Sequence, residues 1–145
     1  SGEIIRTRNL ISLIRTNMAT NSSNKLVYPE LSYKLMGILF GIHGELGTKY
    51  QEKHYQRAIE IKLKELSIPF EKEAKIEVNF HTEKLGEFFI DFIIDNKIIL
   101  ETKMVWMITQ DDVKQVLRYL KSTNLKLGII VNFRHKKLEY RRVLN

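Results

Sequence analysis

The spacing of hydrophobic residues changes along this chain, and the changes restrict the folds that it can form. Residues 31–46 and 55–66 carry apolar side chains at intervals of three and four, which predicts two successive helices. The pattern then becomes strand-like, over residues 75–80, 86–94 and 97–103. The first two thirds of the chain therefore predict two helices followed by three antiparallel strands.

A third helix and a further strand are predicted beyond residue 108. Thr109 can cap this helix, and residues 125–133 have the continuous apolar character of a fully buried strand. Thr48, with Gln51 three residues later, is the predicted cap of the second helix. The order ααβββαβ indicates an α/β or α+β domain, in which a right-handed helical crossover reaches the last strand.

The chain length favours one domain, which we assign to residues 30–145. Residues 1–29 are set apart as an N-terminal extension, because Ser1-Gly2 resembles a cleavage scar and residues 4–17 are apolar and arginine-bearing. That segment could be a targeting peptide, an added basic helix or sequence foreign to the natural chain.

Net charge and amino-acid composition indicate which partners and which kinds of chemistry this chain can have. The formal net charge of +7 favours polyanionic partners, with nucleic acid ahead of anionic lipid. The lack of cysteine excludes disulfides, thiolate zinc sites and cysteine nucleophiles, and a cytoplasmic location is the simpler expectation. No apolar run approaches the ~20 residues of a membrane span, so no membrane partner is expected. Phosphate-binding loops, serine-hydrolase elbows and dinucleotide fingerprints are also missing from the sequence.

Two carboxylates and a lysine form the main candidate site. Glu101 and Lys103 are two residues apart on a predicted strand and so project from the same face. Asp91 lies on the preceding strand, and a two-residue hairpin loop would put it on the opposite face. A three-residue loop would pair position 91 with position 101, so we predict that the turn includes Lys97 or a bulge.

Such carboxylates would be costly as bare charges within an apolar sheet, and a hard cation would relieve that cost. Oxygen ligands suit Mg²⁺ or Mn²⁺, which can activate water and stabilise charge on a phosphate. Lys103 could orient the water or hold the phosphate. The alternative is a purely structural Asp91 or Glu101 paired with Lys103.

Three further residues could approach this site from helices. Glu52 can face the sheet as a ligand or water-positioning group, or be a solvated residue favoured by the helix dipole. Gln115 and Tyr119 are four residues apart and could contact the site or a nucleic-acid backbone, or form an exposed polar face.

Positive charge concentrates in the last quarter of the chain and could bind phosphates. A solvated surface is the alternative. The residues are Lys121, Lys126, Arg134, Lys136, Lys137, Arg141 and Arg142.

Several short segments between residues 30 and 143 add a more specific pattern. They are Glu30-Leu31-Ser32-Tyr33-Lys34, Glu52 with Tyr55, Gly86-Glu87, Asp91-Phe92, Glu101-Thr102-Lys103, Gln115, Tyr119-Leu120-Lys121 and Asn132-Phe133. In order and spacing they resemble the GxxExxY family of the PD-(D/E)XK nuclease-like superfamily. Lys49 departs from the pattern, since it stands where the family has the glycine three residues before Glu52.

The resemblance implies a restriction-endonuclease-like αβββαβ core, an α/β (α+β) fold with a four-stranded mixed sheet flanked by helices. It implies that Asp91 and Glu101 bind Mg²⁺, which Mn²⁺ can replace, and that Lys103 assists the attacking water. Glu52 would contribute from its helix as a further ligand, and Gln115 would lie beside the site. Tyr55 and Tyr119 join Lys121, Arg134, Lys136 and Lys137 as candidate nucleic-acid contacts.

The leading hypothesis is a metal-dependent nuclease that hydrolyses phosphodiester bonds in DNA, with endonuclease action favoured over exonuclease action. Holliday junction resolvases show a similar residue pattern and are small basic dimers, so branched DNA and a homodimer are further expectations. One alternative is a non-catalytic nucleic-acid-binding subunit of a repair or defence complex. Another is a scaffold that recruits a protein partner through residues 4–14.

Overall fold

The computed structural model describes residues 2–5, by their backbone alone, and residues 27–145. Its helices and strands are β1 (Gly2–Ile5), α1 (Pro29–Leu46), α2 (Glu52–Glu65), β2 (Phe70–Phe80), β3 (Glu83–Ile94), β4 (Ile98–Lys103), α3 (Gln110–Thr123), β5 (Leu127–Asn132) and β6 (Glu139–Leu144). Within this described part, no helix is both long enough and apolar enough to cross a membrane. Most of the segment 1–29 lies outside the described residues, so its assignment as an extension stays a prediction.

The strands form one mixed sheet in the order β1-β6-β5-β4-β3-β2. The neighbours β4 and β5 are parallel and are connected through α3, whereas the other neighbouring pairs are antiparallel. This arrangement confirms the predicted αβββαβ core with its mixed sheet and flanking helices. The predicted number of four strands was too low, because the described residues form a sheet of six.

Strand β6 was missed because its charged residues give it the composition of an exposed segment. Arg141 and Arg142 were assigned to the basic surface cluster, but they are 8% and 2% exposed within the sheet. β6 lies between β5 and β1, where the long aliphatic stems of arginine can be covered by neighbouring residues. These two arginines therefore do not belong to an exposed phosphate-binding surface.

Helices cover both faces of the sheet, which separates the core into two apolar clusters. Residues of α1 and α2 pack on one face, together with side chains from the central strands. This cluster includes Leu35, Leu39, Tyr55, Ile59, Phe92, Leu100, Ile129 and Phe133. The other cluster is built on α3 and includes Ile90, Ile93, Ile99, Val116, Tyr119, Leu120 and Ile130.

Of the two predicted helix caps, one was correct and one was wrong. Thr109 caps α3 as expected, since its hydroxyl accepts from the Asp112 N–H and its own N–H donates to the Asp112 carboxylate at 2.9 Å. The cap predicted at Thr48 was wrong, because α2 begins at Glu52 with Gln51 as its N-cap. The Gln51 N–H donates to His54 Nδ1 at 3.0 Å. Thr48 lies three residues before this N-cap and does not take its position.

Gly128 allows α3 to lie directly on β5, which makes it a sensitive position for stability. A methyl group at this residue would lie 2.5 Å from Val116 Cγ1, and a valine within a helix has little freedom to rotate away. We expect Gly128→Ala to lower the free energy of unfolding by about 1–3 kcal/mol, as overpacking of cores does. Urea denaturation would measure the loss.

A double variant tests the cause of that loss. Val116→Ala removes the methyl group that the new Cβ would meet, so Gly128→Ala should cost much less when Val116 is already alanine. Equal costs in the two backgrounds would contradict the proposed clash.

Candidate active site

The β3–β4 hairpin has the three-residue loop that the sequence argument required. Ile94 pairs with Ile98 and Phe92 pairs with Leu100, so the loop consists of residues 95–97. Asp95 and Asn96 adopt left-handed backbone angles, with φ of 50° and 53°, which these residue types tolerate. The prediction that Lys97 belongs to the turn is therefore confirmed, and the register places position 91 opposite position 101.

Strand β3 twists at Asp91. Phe92 packs in the cluster under α1 and α2, whereas Ile90 packs in the cluster under α3. Both positions are even-numbered, so regular alternation would have placed them on the same face. Opposite this point on β2, Glu73 has a φ of 53°, which is rare in a strand. The change of face directs the Asp91 side chain along the sheet toward β4.

The Asp91 carboxylate takes over the role of a backbone acceptor where the two strands separate. The backbone pairing of β3 with β4 ends at Phe92 and Leu100. Beyond it, Asp91 Oδ2 accepts from the Thr102 N–H at 2.9 Å and lies 3.1 Å from the Thr102 hydroxyl. These bonds fix the Asp91 carboxylate between β3 and β4, just beyond their last paired residues.

Glu101 supplies the second carboxyl group from β4. It is only 5% exposed, and burial, followed by the neighbouring Asp91 carboxylate, raises the pKa of Glu101 to about 10. A carboxyl group in this setting remains protonated at neutral pH unless a cation offsets its charge. Its position is therefore one that stabilises an added positive charge.

Lys103 follows on the same face of β4, as the spacing predicted. Its Nζ lies 3.6 Å from Asp112 Oδ1 on the first turn of α3, and both side chains remain partly exposed. The lysine is thereby directed along the α3 side of the strand and keeps access to solvent.

Glu52 approaches the site from the start of α2. Its Oε2 lies 3.3 Å from the Thr102 hydroxyl and accepts from Gln56 Nε2 at 3.1 Å. Burial is the main cause that raises the pKa of Glu52, and the Asp91 carboxylate adds to it. The Thr102 hydroxyl has one proton for two carboxylates, so it can donate to only one of Asp91 and Glu52 at a time.

The donor set is suited to a hard cation. Among residues 27–145, no three aspartate, glutamate or histidine side chains converge as a ready-made metal cage. Asp91 and Glu101 provide two carboxylates, and Mg²⁺ is commonly held by one or two carboxylates together with water and substrate phosphates. The residues present therefore fit such an ion, while Glu52 lies at hydrogen-bonding distance from the Thr102 hydroxyl rather than in a formed three-carboxylate group.

Other predicted site residues lie in different environments. Tyr55 is fully buried, stacks on Phe133 with ring centroids 4.5 Å apart and donates to the Gly47 carbonyl at 2.5 Å. Tyr119 is 4% exposed and packs against Phe88, while burial, then the Glu101 and Asp91 charges, raises the pKa of its phenol. Neither tyrosine is placed to contact nucleic acid directly, because both belong to the core.

Gln115 is half-buried on α3, one turn from Tyr119 and one turn from Asp112, the partner of Lys103. Four basic candidates are exposed: Lys121 lies on α3, and Arg134, Lys136 and Lys137 lie in the loop between β5 and β6. Their exposure leaves them available to phosphates.

Three residues of the site were not identified from the sequence. Thr102 was not proposed as a site residue, yet it connects Asp91 with Glu52, and Gln56 donates to its hydroxyl at 2.8 Å. Asp112 was not considered as the partner of Lys103. The spacing of Gln56, four residues after Glu52 on one helical face, was a signal that could have been used.

Comparison with known proteins agrees with this geometry. A family model described as the PD-(D/E)XK nuclease superfamily matches residues 29–143. Searches among curated proteins and among solved structures give no match.

Proposed function

The chain belongs to the PD-(D/E)XK nuclease superfamily, and we propose that it is a metal-dependent nuclease that cuts DNA. In this proposal Asp91, Glu101 and Lys103 form the active site. The observation that carries this proposal is the pair of carboxylates at the point where β3 and β4 separate, with the ammonium group of Lys103 next on the same strand face. Membership of the superfamily points to phosphodiester hydrolysis, and the finer points below are our proposals.

We assign Asp91 and Glu101 as the residues that would hold Mg²⁺, with Mn²⁺ able to replace it. When bound, such an ion supplies activation of water and stabilisation of the charge that develops on the phosphate. Asp91 is well suited to this role, because its Oδ2 is fixed by the Thr102 N–H and hydroxyl and its carboxylate adjoins that of Glu101. Loss of the carboxyl proton of Glu101 would accompany cation binding.

Lys103 and Glu52 act on the water and the phosphate in this proposal. Lys103 can swing from Asp112 toward a phosphate oxygen, where its charge is most valuable as negative charge accumulates during attack. Glu52 has a raised pKa and can accept a proton from the attacking water. The water oxygen then forms the new bond to phosphorus, and the P–O bond to the leaving nucleotide oxygen breaks.

The charge of the surface supports a nucleic acid as the substrate, and within this class we propose DNA. The formal net charge is +7, and Lys121, Arg134, Lys136 and Lys137 are exposed. Cations of this kind neutralise phosphates and release counterions, so binding should weaken with salt. We also propose membership of the GxxExxY family, on the motif segments given above, an endonuclease action and a homodimer that acts on branched DNA.

Cleavage assays with a panel of substrates test this function. Labelled duplex, single-stranded and branched DNA, and RNA, would be incubated with Mg²⁺, Mn²⁺ or EDTA. We expect metal-dependent cleavage of DNA by the wild-type protein, and none by Glu101→Ala purified in the same way. Circular DNA would distinguish endonuclease from exonuclease action.

Binding of DNA without any cleavage, by a protein that circular dichroism shows to be folded, would contradict the nuclease. It would favour the non-catalytic binding subunit instead.

A further inference from the structure

Trp106 is the most exposed aromatic side chain near the candidate active site. It is the single tryptophan of the chain, lies in the connection between β4 and α3 and is 73% exposed; its neighbour Met107 is 54% exposed. An isolated exposed apolar residue needs no explanation by itself. The backbone on both sides of Trp106, however, is held by hydrogen bonds to side chains of β5 and β6.

The connection that carries Trp106 is held at both ends by buried side chains. The fully buried Asn132 accepts from the Val105 N–H at 3.1 Å and donates to the Val105 carbonyl at 2.8 Å. On the other side, Ile108 is 2% exposed and its N–H lies 3.4 Å from the Glu139 carboxylate. The indole is thus presented on a fixed backbone, which lowers the entropy cost of using it for binding.

Trp106 contacts a loop that carries several basic residues. The rings of Trp106 and His135 meet at 5.2 Å and 80°, and His135 Nε2 is hydrogen-bonded to the Trp106 carbonyl. Exposed Arg134, Lys136 and Lys137 are the sequence neighbours of His135 in the same loop. An aromatic surface beside several cations is the combination that binds single-stranded nucleic acid, in which bases stack and phosphates meet positive charge.

The indole also lies close to the site along the chain. Trp106 is three residues after Lys103, a separation that spans at most about 11 Å. Asn132, which holds the connection, is the β5 partner of Lys103 in the sheet. The indole is therefore close enough along the chain to be reached by a DNA strand whose phosphate lies beside Lys103.

We infer that Trp106 stacks on an unpaired nucleobase beside the phosphate to be cut, which makes DNA with an unpaired strand, such as a flap, a branch point or a single-stranded end, the preferred substrate class. This inference rests on the proposed nuclease function. Bases within a duplex are already stacked on one another and would have to be unstacked first, at a cost of a few kcal/mol.

The fluorescence of Trp106 reports on this contact directly, because the chain has no other tryptophan. The full chain would be titrated in EDTA with a single-stranded oligonucleotide, with a duplex of the same sequence and with an abasic single strand. We expect the single strand to quench the fluorescence at least about threefold more at saturation than either of the other two, since only it offers a free base for stacking. Equal quenching by the duplex or the abasic strand would overturn the inference.

Binding affinities of variants provide the second test, by anisotropy of labelled DNA. Trp106→Ala should weaken binding of the single strand roughly tenfold and of the duplex less than about twofold, whereas Trp106→Phe should retain most of the preference. Phe80→Ala removes an aromatic side chain of similar exposure, 62%, at the far tip of the β2–β3 hairpin and should change neither affinity. Equal weakening of both DNA forms by Trp106→Ala would refute base stacking.

The two proposals can fail separately. Base-dependent quenching without cleavage under any metal would reject the nuclease and leave the stacking contact standing. Cleavage without base-dependent quenching would reject the stacking contact alone.

Discussion

Glu101→Gln should reduce DNA cleavage at least about 1,000-fold and at the same time make the metal-free protein more stable. Glutamine has the size of glutamate but cannot provide a carboxylate to a cation. The contribution of a bound metal to such a reaction is several kcal/mol, and about 4 kcal/mol corresponds to a factor of 1,000. Steady-state cleavage with saturating Mg²⁺ would measure the loss.

The gain in stability has an electrostatic cause. Burial, and secondarily Asp91, raises the pKa of Glu101 to about 10, while the unfolded chain has a carboxyl of ordinary pKa. A group whose pKa is raised by folding favours the folded state most at low pH, and this advantage is lost as the pH rises from the unfolded pKa toward the folded one. At pH 8 wild-type Glu101 is therefore unfavourable for folding, and glutamine avoids that cost.

We expect the glutamine variant to be more stable by about 1 kcal/mol in EDTA, which for a chain of this size raises Tm by about 3 °C. Mg²⁺ should raise the Tm of the wild-type protein and leave that of the variant nearly unchanged. Glu83→Gln, at an exposed position at the start of β3, is the matched control for the loss of one acidic residue and should retain activity. A Glu101→Gln protein that still cleaves DNA would remove Glu101 from the site.

The sequence was sufficient for those parts of the fold and site that follow from local spacing. Glu101 and Lys103 share a strand face because side chains alternate along a strand with a period of two residues. The register that pairs position 91 with position 101 requires a three-residue loop, and this loop is present. Thr109 was identified as a helix cap because capping depends on neighbouring residues alone. In each case a short-range rule determined the outcome.

The remaining features depend on contacts between distant residues. β6 was missed because burial of Arg141 and Arg142 follows from their place between β5 and β1, which their local charge does not reveal. Tyr55 was given a surface role that its stacking on Phe133, far away in the sequence, excludes. The connection of Asp91 with Glu52 through Thr102 likewise requires the packing of α2 on β4.

Lys103→Met should lower the turnover number about 100-fold or more while the protein remains folded. Methionine retains the unbranched apolar stem and removes the charge that stabilises the phosphate as it is attacked, an interaction that grows in the transition state and therefore affects kcat more than KM. The partly exposed pair with Asp112 contributes about 1 kcal/mol or less to stability, so Tm should change little.

Asp112→Asn separates the chemical role of Lys103 from its structural pairing. Asparagine still offers an oxygen to the Thr109 N–H that caps α3, but it withdraws the negative charge that lies 3.6 Å from Lys103 Nζ. If Asp112 only positions the lysine, this change should lower kcat by no more than about tenfold, the equivalent of about 1.4 kcal/mol. Equal losses for Lys103→Met and Asp112→Asn would show that the ion pair, rather than the lysine acting on substrate, is what the reaction requires.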